Sequence, residues 1–195
     1  MGVRRTAGRA GAHTREPTIG QMRLAWWEEV LTDAAGDKGR GDPLVDALRG
    51  TGAMTQEGVL PGLLSMLDGW EALLLMEESD QPALLRFAQA RGGGLFAALA
   101  RRDGEMKDSL SAAACLWALW DLSGHVGDAR TRTDAITLAA TFLRDTGRDE
   151  WPRACRSLRI AAALARHDIA RGRAAESTLT PRVYGRLVRI ALVGV

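Results

Sequence analysis

Helix-start signals recur along the whole chain, and this recurrence constrains the fold more than any other feature of the sequence. Asp42 followed by Pro43, Thr180 followed by Pro181, and Asp80 two residues before a proline each place a capping side chain ahead of a residue that suits the first helical turn. No stretch shows the sustained period-two alternation of a half-buried strand. The sequence therefore predicts an all-α bundle of about eight helices.

Caps, prolines and glycines give the predicted helix bounds. Thr18 and Gln21 form a capping box that starts the first helix, and Gly36 ends it. The others are predicted, in chain order, from Asp42 to Gly50, from about Pro61 to Glu78, from Asp80 through the glycines at 92–94 toward Arg102, from about Glu105 to Ser123, from Thr133 to Gly147, from Pro152 to about Gly172, and from Thr180 onward.

Two adjacent tryptophans lie on the first predicted helix. Trp26 shares an apolar face with Met22 and Val30, whereas Trp27 lies on a second apolar face. A helix that is apolar on two faces is packed on two sides. We therefore expect this helix inside the bundle, with both indoles largely buried on its opposite sides.

Composition and length limit the class of protein. A chain of 195 residues, 46% of them hydrophobic, fits one globular domain. We assign that domain to residues 15–195, after an ill-defined or disordered tail at 1–14 that is rich in Gly, Ala and Arg. Cys115 and Cys155 are too few for a disulfide framework or a thiolate metal site, which favours a reducing compartment such as the cytoplasm. No apolar run reaches the length of a membrane span or of a secretory signal.

Positive charge is concentrated at the two ends of the chain. The net charge is +2, yet residues 151–195 carry nine arginines against two acids, and residues 1–15 carry four arginines and no acid. Residues 16–150 therefore carry a balance of −9. This asymmetry predicts an anionic partner at the basic end.

The last predicted helix could meet such a partner. Arg182, Arg186 and Arg189 share one face beside an apolar stripe, so they are candidate contacts to an anionic membrane surface. The alternative is a helix that packs on the bundle and leaves its arginines in water. No zinc-knuckle or helix-turn-helix signal accompanies the charge, so no nucleic-acid partner is expected.

Several carboxylates have the spacing of metal ligands. Asp121, His125 and Asp128 could form a carboxylate–imidazole group, but glycines break the helix between them, so we predict no metal there. His167 and Asp168 are interpreted as a solvated polar face. Three further pairs are four residues apart but coincide with helix ends, so we interpret them as caps: Asp33/Asp37, Asp42/Asp46 and Asp145/Asp149.

A glycine run, RGGGLF, occupies residues 91–96. It lacks the Lys-Ser/Thr of a phosphate-binding loop, and no strand precedes it. Within a helix, such glycines either allow close packing or leave room for a ligand.

The stretch EPTIGQMRLAWWEEVL resembles a motif of the squalene/phytoene synthase family, in the divergent proteobacterial branch related to the mitochondrial complex I assembly factor of that family. The resemblance runs in order from Arg15 to the C-terminus, through DPLVDAL, LLSMLDGWEALL, LLRFAQARGGGLFAALA, LWALWDLSGH and WPRACRSLRIAAALARHDIARG. Only the first motif is specific, and its matching residues are Glu16, Pro17, Gly20, Arg23, Leu24, Trp26 and Trp27.

The resemblance implies an isoprenoid-synthase fold whose helices surround a hydrophobic cavity for prenyl chains. Active members join two prenyl diphosphates head to head with Mg²⁺ held by two helices that carry paired aspartates. The candidate lining residues here are Trp26, Phe87, Arg91, Gly93, Trp117 and Asp121.

Two departures from the family pattern determine the expected function. The segment before the Trp-Trp motif is too short for the first aspartate-rich helix, and the second offers only Asp121 and Asp128, seven residues apart. We therefore expect a catalytically degenerate member without metal or other cofactor, with a prenyl or lipid pocket or a scaffold role toward a protein partner. The alternatives are an active Mg²⁺-dependent prenyl diphosphate transferase and a membrane-peripheral assembly factor.

Overall fold

The computed structural model describes residues 10–100, 108–146, 151, 155–176, 178 and 180–193, and within them every regular element is helical. This confirms the all-α prediction. A 3₁₀ turn spans Ala53–Thr55, and a π-helical segment, Ala88–Gly92, joins α4 to α5. The α-helices of this part of the chain are α1 (Ala10–Thr32), α2 (Pro43–Gly50), α3 (Val59–Leu74), α4 (Gln81–Phe87), α5 (Gly93–Ala100), α6 (Asp108–His125), α7 (Ala129–Thr141), α8 (Arg156–Ile169) and α9 (Pro181–Val193).

Three predicted helix starts are confirmed. Asp42 caps α2 by accepting hydrogen bonds from two backbone amides of its first turn, and Asp80 caps α4 by accepting one from Ala83. Thr180 precedes α9, and its hydroxyl accepts a hydrogen bond from the amide of Val183. In each case the cap is followed within two residues by a proline, whose fixed φ suits the first turn.

Other predicted bounds are wrong. α1 begins at Ala10 and continues through Pro17, so Thr18 does not cap it, and it ends at Thr32 rather than Gly36. α7 begins at Ala129 because Asp128, not Thr133, caps it. α7 also ends at Thr141, six residues before the predicted Gly147. The predicted bounds at Arg102, Glu105 and Pro152, and residues 1–9 of the predicted tail, lie outside the described residues.

The helices pack in sequence across the molecule. α1 lies on α3, α3 packs on the segment from α4 to α5, that segment packs on α6, and α6 contacts α7 and α8, with α9 on α8. The small side chains of four buried alanines on α6 let its neighbouring helices approach closely: Ala112, Ala113, Ala114 and Ala118. The largest buried cluster therefore forms around α6, from α4, α6, α7 and α8.

The expected interior position of α1 is wrong. The two indoles contact each other edge to face, with ring centroids 5.0 Å apart, and Trp26 is 37% exposed. Met22, on the same face, is also exposed. Adjacent residues on a helix point only about 100° apart, so two large neighbouring rings can meet rather than enter separate layers.

Within the described residues α1 is an outer helix that packs on α3. A Cβ at Gly20 would come within 2.8 Å of a methyl group of Leu74 on α3, so α1 approaches α3 closely there. The C-terminal end of α1 is better covered, because Val30 is buried beside Gly39 and Val45.

Candidate functional site: a caged arginine

Three aromatic rings surround the guanidinium of Arg91. Its Cζ lies 4.8 Å from the centroid of Trp117 on α6, 5.1 Å from that of Trp70 on α3 and 5.8 Å from that of Phe87 at the end of α4. The side chain of Arg91 is 14% exposed. Cation–π attraction of this kind grows as the cation loses water, so the aromatic rings partly replace its hydration. Three helices thus meet at one charged side chain.

Asp121 supplies the carboxylate of the site. Arg91 donates a hydrogen bond from Nη2 to Oδ2 of Asp121 at 2.9 Å, and the side chain of Asp121 is 26% exposed. Nε and Nη1 of Arg91 are buried, and no described residue is their hydrogen-bond partner. Burial lowers the pKa of Arg91, and the Asp121 carboxylate opposes that shift. The guanidinium remains cationic at neutral pH because its ordinary pKa is so high.

The backbone beneath Arg91 is held close to α3. Ser65 donates a hydrogen bond to the carbonyl of Ala90 at 3.0 Å, and a Cβ at Gly69 would come within 2.8 Å of the backbone nitrogen of Arg91. The π-helical turn at Ala88–Gly92 is therefore fixed from one side by small residues of α3. Such turns occur frequently at functional sites.

The glycine run packs closely, which is one of the two outcomes expected from the sequence. A Cβ at Gly92 would overlap the carbonyl oxygen of Ala114 on α6, and one at Gly94 would overlap that of Gly62 on α3. Because these neighbours are backbone atoms, they cannot move aside cheaply. At these contacts the helices leave no space for a ligand.

The structure brings together four of the six candidate lining residues, Phe87, Arg91, Trp117 and Asp121. Gly93, half-buried, opens α5 two residues after Arg91. Trp26 lies elsewhere, on α1 against Trp27 and Gly39. Trp70 was not among the candidates. Its position on the predicted helix from about Pro61 to Glu78 gave no sign of the contact with Arg91.

The structure gives different contacts to Asp121, His125 and Asp128, for which no metal is predicted. Asp128 accepts hydrogen bonds from the amide and the hydroxyl of Thr131, both at 2.7 Å, and these bonds lower its pKa. His125 contacts the backbone oxygen of Asp121 through Nδ1 at 2.8 Å. Among the described residues no three side chains of the types that bind metal are grouped as ligands.

The other aspartate pairs also have local partners. Asp33 accepts from the amides of Ala35 and Lys38, and these bonds, the Lys38 bond foremost, lower its pKa. Asp37 pairs with Arg40, and Asp46 accepts from the amide of Gly41. For the last pair, Asp149 lies outside the described residues.

Two predictions for the basic end are wrong. Arg186 is not a surface arginine, because it is largely buried and donates to Oδ1 of Asp168. Asp168 is itself buried, so it does not belong to a solvated face. Burial and the charge of Arg171 lower the pKa of the neighbouring His167, whose Nδ1 lies 3.1 Å from Nη1 of Arg171. Arg182 and Arg189 are exposed, as expected.

Two clefts lie beside α3, and acidic residues line both. One of about 670 Å³ lies between the end of α3 and the start of α4, and one of about 470 Å³ lies between α1 and α3. Asp68 and Glu71 line both clefts, and none of the six candidate lining residues lines either. In the part of the chain that the structure describes, no helix combines the length and apolarity needed to cross a membrane.

Comparison with known proteins gives no match. No family model matches the chain, and neither a curated protein nor a solved structure is significantly similar to it.

Proposed function

We propose that the protein is a non-catalytic relative of the squalene/phytoene synthases that acts as a helical scaffold for a partner. The observation that carries the proposal is the ion pair between Arg91 and Asp121. The segment LWALWDLSGH resembles the second aspartate-rich helix of active members, and Asp121 is the aspartate within it. Here that carboxylate neutralises an internal cation.

Metal-dependent prenyl transfer requires carboxylates that are free to hold Mg²⁺ against a diphosphate. A guanidinium 2.9 Å from Asp121 is a fixed positive charge at the point where the metal would bind. It therefore opposes a divalent cation by charge and by occupying a carboxylate oxygen. Asp128, the second acid that the sequence offers for such a site, lies three residues beyond that segment and is the N-cap of α7.

The packing of the glycine run favours a scaffold over a prenyl pocket. Gly92 and Gly94 bring the segment from α4 to α5 into backbone contact with α6 and with α3. A prenyl chain cannot lie between helices at those contacts. Asp68 and Glu71 line both clefts beside α3, so a hydrocarbon chain there would lie against charged groups, although three leucines also line the smaller cleft.

The test is incubation with farnesyl and geranylgeranyl diphosphate in the presence of Mg²⁺, with an active squalene synthase as the positive control. We expect no release of diphosphate and no change in melting temperature with either substrate. Release of diphosphate that Asp121→Asn abolishes would support the active transferase instead. A substrate-dependent rise in melting temperature without turnover would support a prenyl pocket and contradict the scaffold.

A further inference from the structure

The last helix, α9, has two apolar faces, of which one is packed and one is exposed. Val183 and Ile190 are buried against Leu164 of α8, so this face attaches the helix to the bundle. The other face carries Tyr184, Val188 and Leu192, which are 60%, 38% and 78% exposed. These three, one helical turn apart, form a continuous apolar row, named here the α9 stripe.

Cations lie beside the stripe, and α9 has no acidic residue. Arg182 and Arg189 are exposed and lie about two turns apart on the side of α9 next to the stripe. The surface is therefore apolar along one line and cationic along the adjacent line.

The nearby acids do not cancel this charge. Asp168 is buried and paired with Arg186, and it also lies 3.6 Å from Arg173. Glu176, before the helix begins, accepts a hydrogen bond from the hydroxyl of Thr180 and keeps its negative charge, but it is a single acid against the exposed Arg182 and Arg189. Arg166 of α8 is exposed as well, so the adjoining surface adds positive charge.

We propose that α9 docks on an anionic lipid surface, with the α9 stripe at the boundary between headgroups and acyl chains and with Arg182 and Arg189 at the lipid phosphates. A helix that lies in the membrane interface combines an apolar face with arginines or lysines on its polar side. Tyrosine suits this boundary because it is apolar with one polar tip, and arginine can extend its head to the phosphates.

The size of the surface favours lipid over a protein. A helix of 13 residues is about 20 Å long, and the stripe is one side chain wide. A stable protein interface buries about 800 Å² on each partner, which such a stripe cannot supply alone. A membrane needs no matching shape, and its negative surface complements the two arginines.

The experiment is flotation of the whole chain with vesicles of phosphatidylcholine alone and of phosphatidylcholine mixed with phosphatidylserine, at low and high salt. We expect binding only to the anionic vesicles, and weaker binding at high salt because exposed charges are screened. The double variant Arg182→Gln/Arg189→Gln should bind roughly thirty-fold more weakly, since each arginine near the surface contributes about 1 kcal/mol and about 1.4 kcal/mol is tenfold. Tyr184→Ser/Leu192→Ser should also reduce binding, by removing the inserted side chains.

Matched controls remove the same groups elsewhere. Arg23→Gln/Arg86→Gln removes two exposed arginines from α1 and α4, and Leu44→Ser/Leu75→Ser removes two exposed leucines from α2 and from the end of α3. Both controls should bind anionic vesicles as the wild type does. The fluorescence emission of an environment-sensitive dye attached to Val188→Cys should shift to shorter wavelength when anionic vesicles are added. The two native thiols will react with the dye slowly, because both are buried.

Three results would overturn the proposal. The first is equal binding by wild type and the α9 variants. The second is an equal loss in the control variants, which would indicate general charge attraction. The third is self-association without lipid, seen as an early elution volume in gel filtration and abolished by Tyr184→Ser/Leu192→Ser. That result would assign the stripe to a second copy of the chain. None of these results depends on whether the protein has catalytic activity.

Discussion

Replacing Asp121 with asparagine should destabilise the protein more than replacing Arg91 with methionine. Asp121→Asn removes the charge that lies 2.9 Å from the guanidinium and leaves a cation among three aromatic rings with two buried nitrogens unpartnered. Arg91→Met removes that cation and keeps an apolar chain against the rings, where a thioether packs favourably. The carboxylate then left behind is 26% exposed and can be hydrated.

The magnitude follows from the geometry of the pair. Two charges about 4 Å apart attract by about 4 kcal/mol at an effective dielectric constant of about 20, and desolvation of both groups offsets part of this attraction. A hydrogen bond between charged groups contributes about 1.5–3 kcal/mol net. We expect Asp121→Asn to lower the free energy of unfolding by about 2 kcal/mol and Arg91→Met by about 1 kcal/mol. The double variant should resemble Arg91→Met, so the coupling energy is about 2 kcal/mol.

Urea unfolding followed by circular dichroism at pH 7 measures all four corners of this cycle. The matched control is the cycle for Asp37→Asn and Arg40→Gln, whose side chains are 2.8 Å apart but mostly exposed. Its coupling should be close to zero, because water screens the pair. If the losses of unfolding free energy in Asp121→Asn and Arg91→Met simply add in the double variant, the ion pair does not hold Asp121. The main support for the scaffold proposal is then lost.

Two further predictions concern packing and pH. Gly92→Ala should cost about 1–3 kcal/mol of unfolding free energy, because its Cβ meets the backbone of Ala114. Gly185→Ala should stabilise α9 by up to about 1 kcal/mol, because no atom of the described residues lies within 4 Å of the added Cβ. Equal effects of the two variants in urea unfolding would refute the packing argument. Burial and the charge of Arg171 lower the pKa of His167, so the unfolded chain binds a proton at this residue more readily than the folded chain does. The melting temperature should therefore fall as the pH drops from about 6.5 toward the lowered pKa. His167→Gln should flatten that part of the curve of melting temperature against pH. An unchanged slope in that variant would remove His167 as the cause.

Helix starts marked by a local capping residue could be predicted from the sequence. Asp42 and Asp80 each act on amides two or three residues away, so the signal and its effect lie in the same few residues. Thr18 failed as a cap because the helix extends upstream through Pro17. A capping box indicates where a helix can begin, but it does not stop one that begins earlier.

The contacts of the site could not be predicted in the same way. Arg91 and Asp121 are thirty residues apart, and they meet only because the packing of α3, the π-helical turn and α6 brings them together. The sequence pattern of α9 places Arg186 on a face with exposed arginines. It does not show that α8 brings the buried Asp168 within hydrogen-bond distance of Arg186. The sequence therefore indicated four residues of the site, but not the long-range ion pairs that hold charged side chains in the interior.

The π-helical segment has a consequence for chain length. Its hydrogen bonds span one residue more than those of an α-helix, so the turn accommodates one extra residue within an otherwise continuous rod. Loss of the exposed Gln89 would let the turn relax to an ordinary α-helical turn while Gly94 and Ala98 stayed opposite α3. The turn is thus a point at which homologous chains can differ by one residue and keep both flanking helices in register. Such a change would shift the residues of this turn together, including Arg91, Gly92 and the Ala90 carbonyl that Ser65 holds, so the charged centre depends on the extra residue.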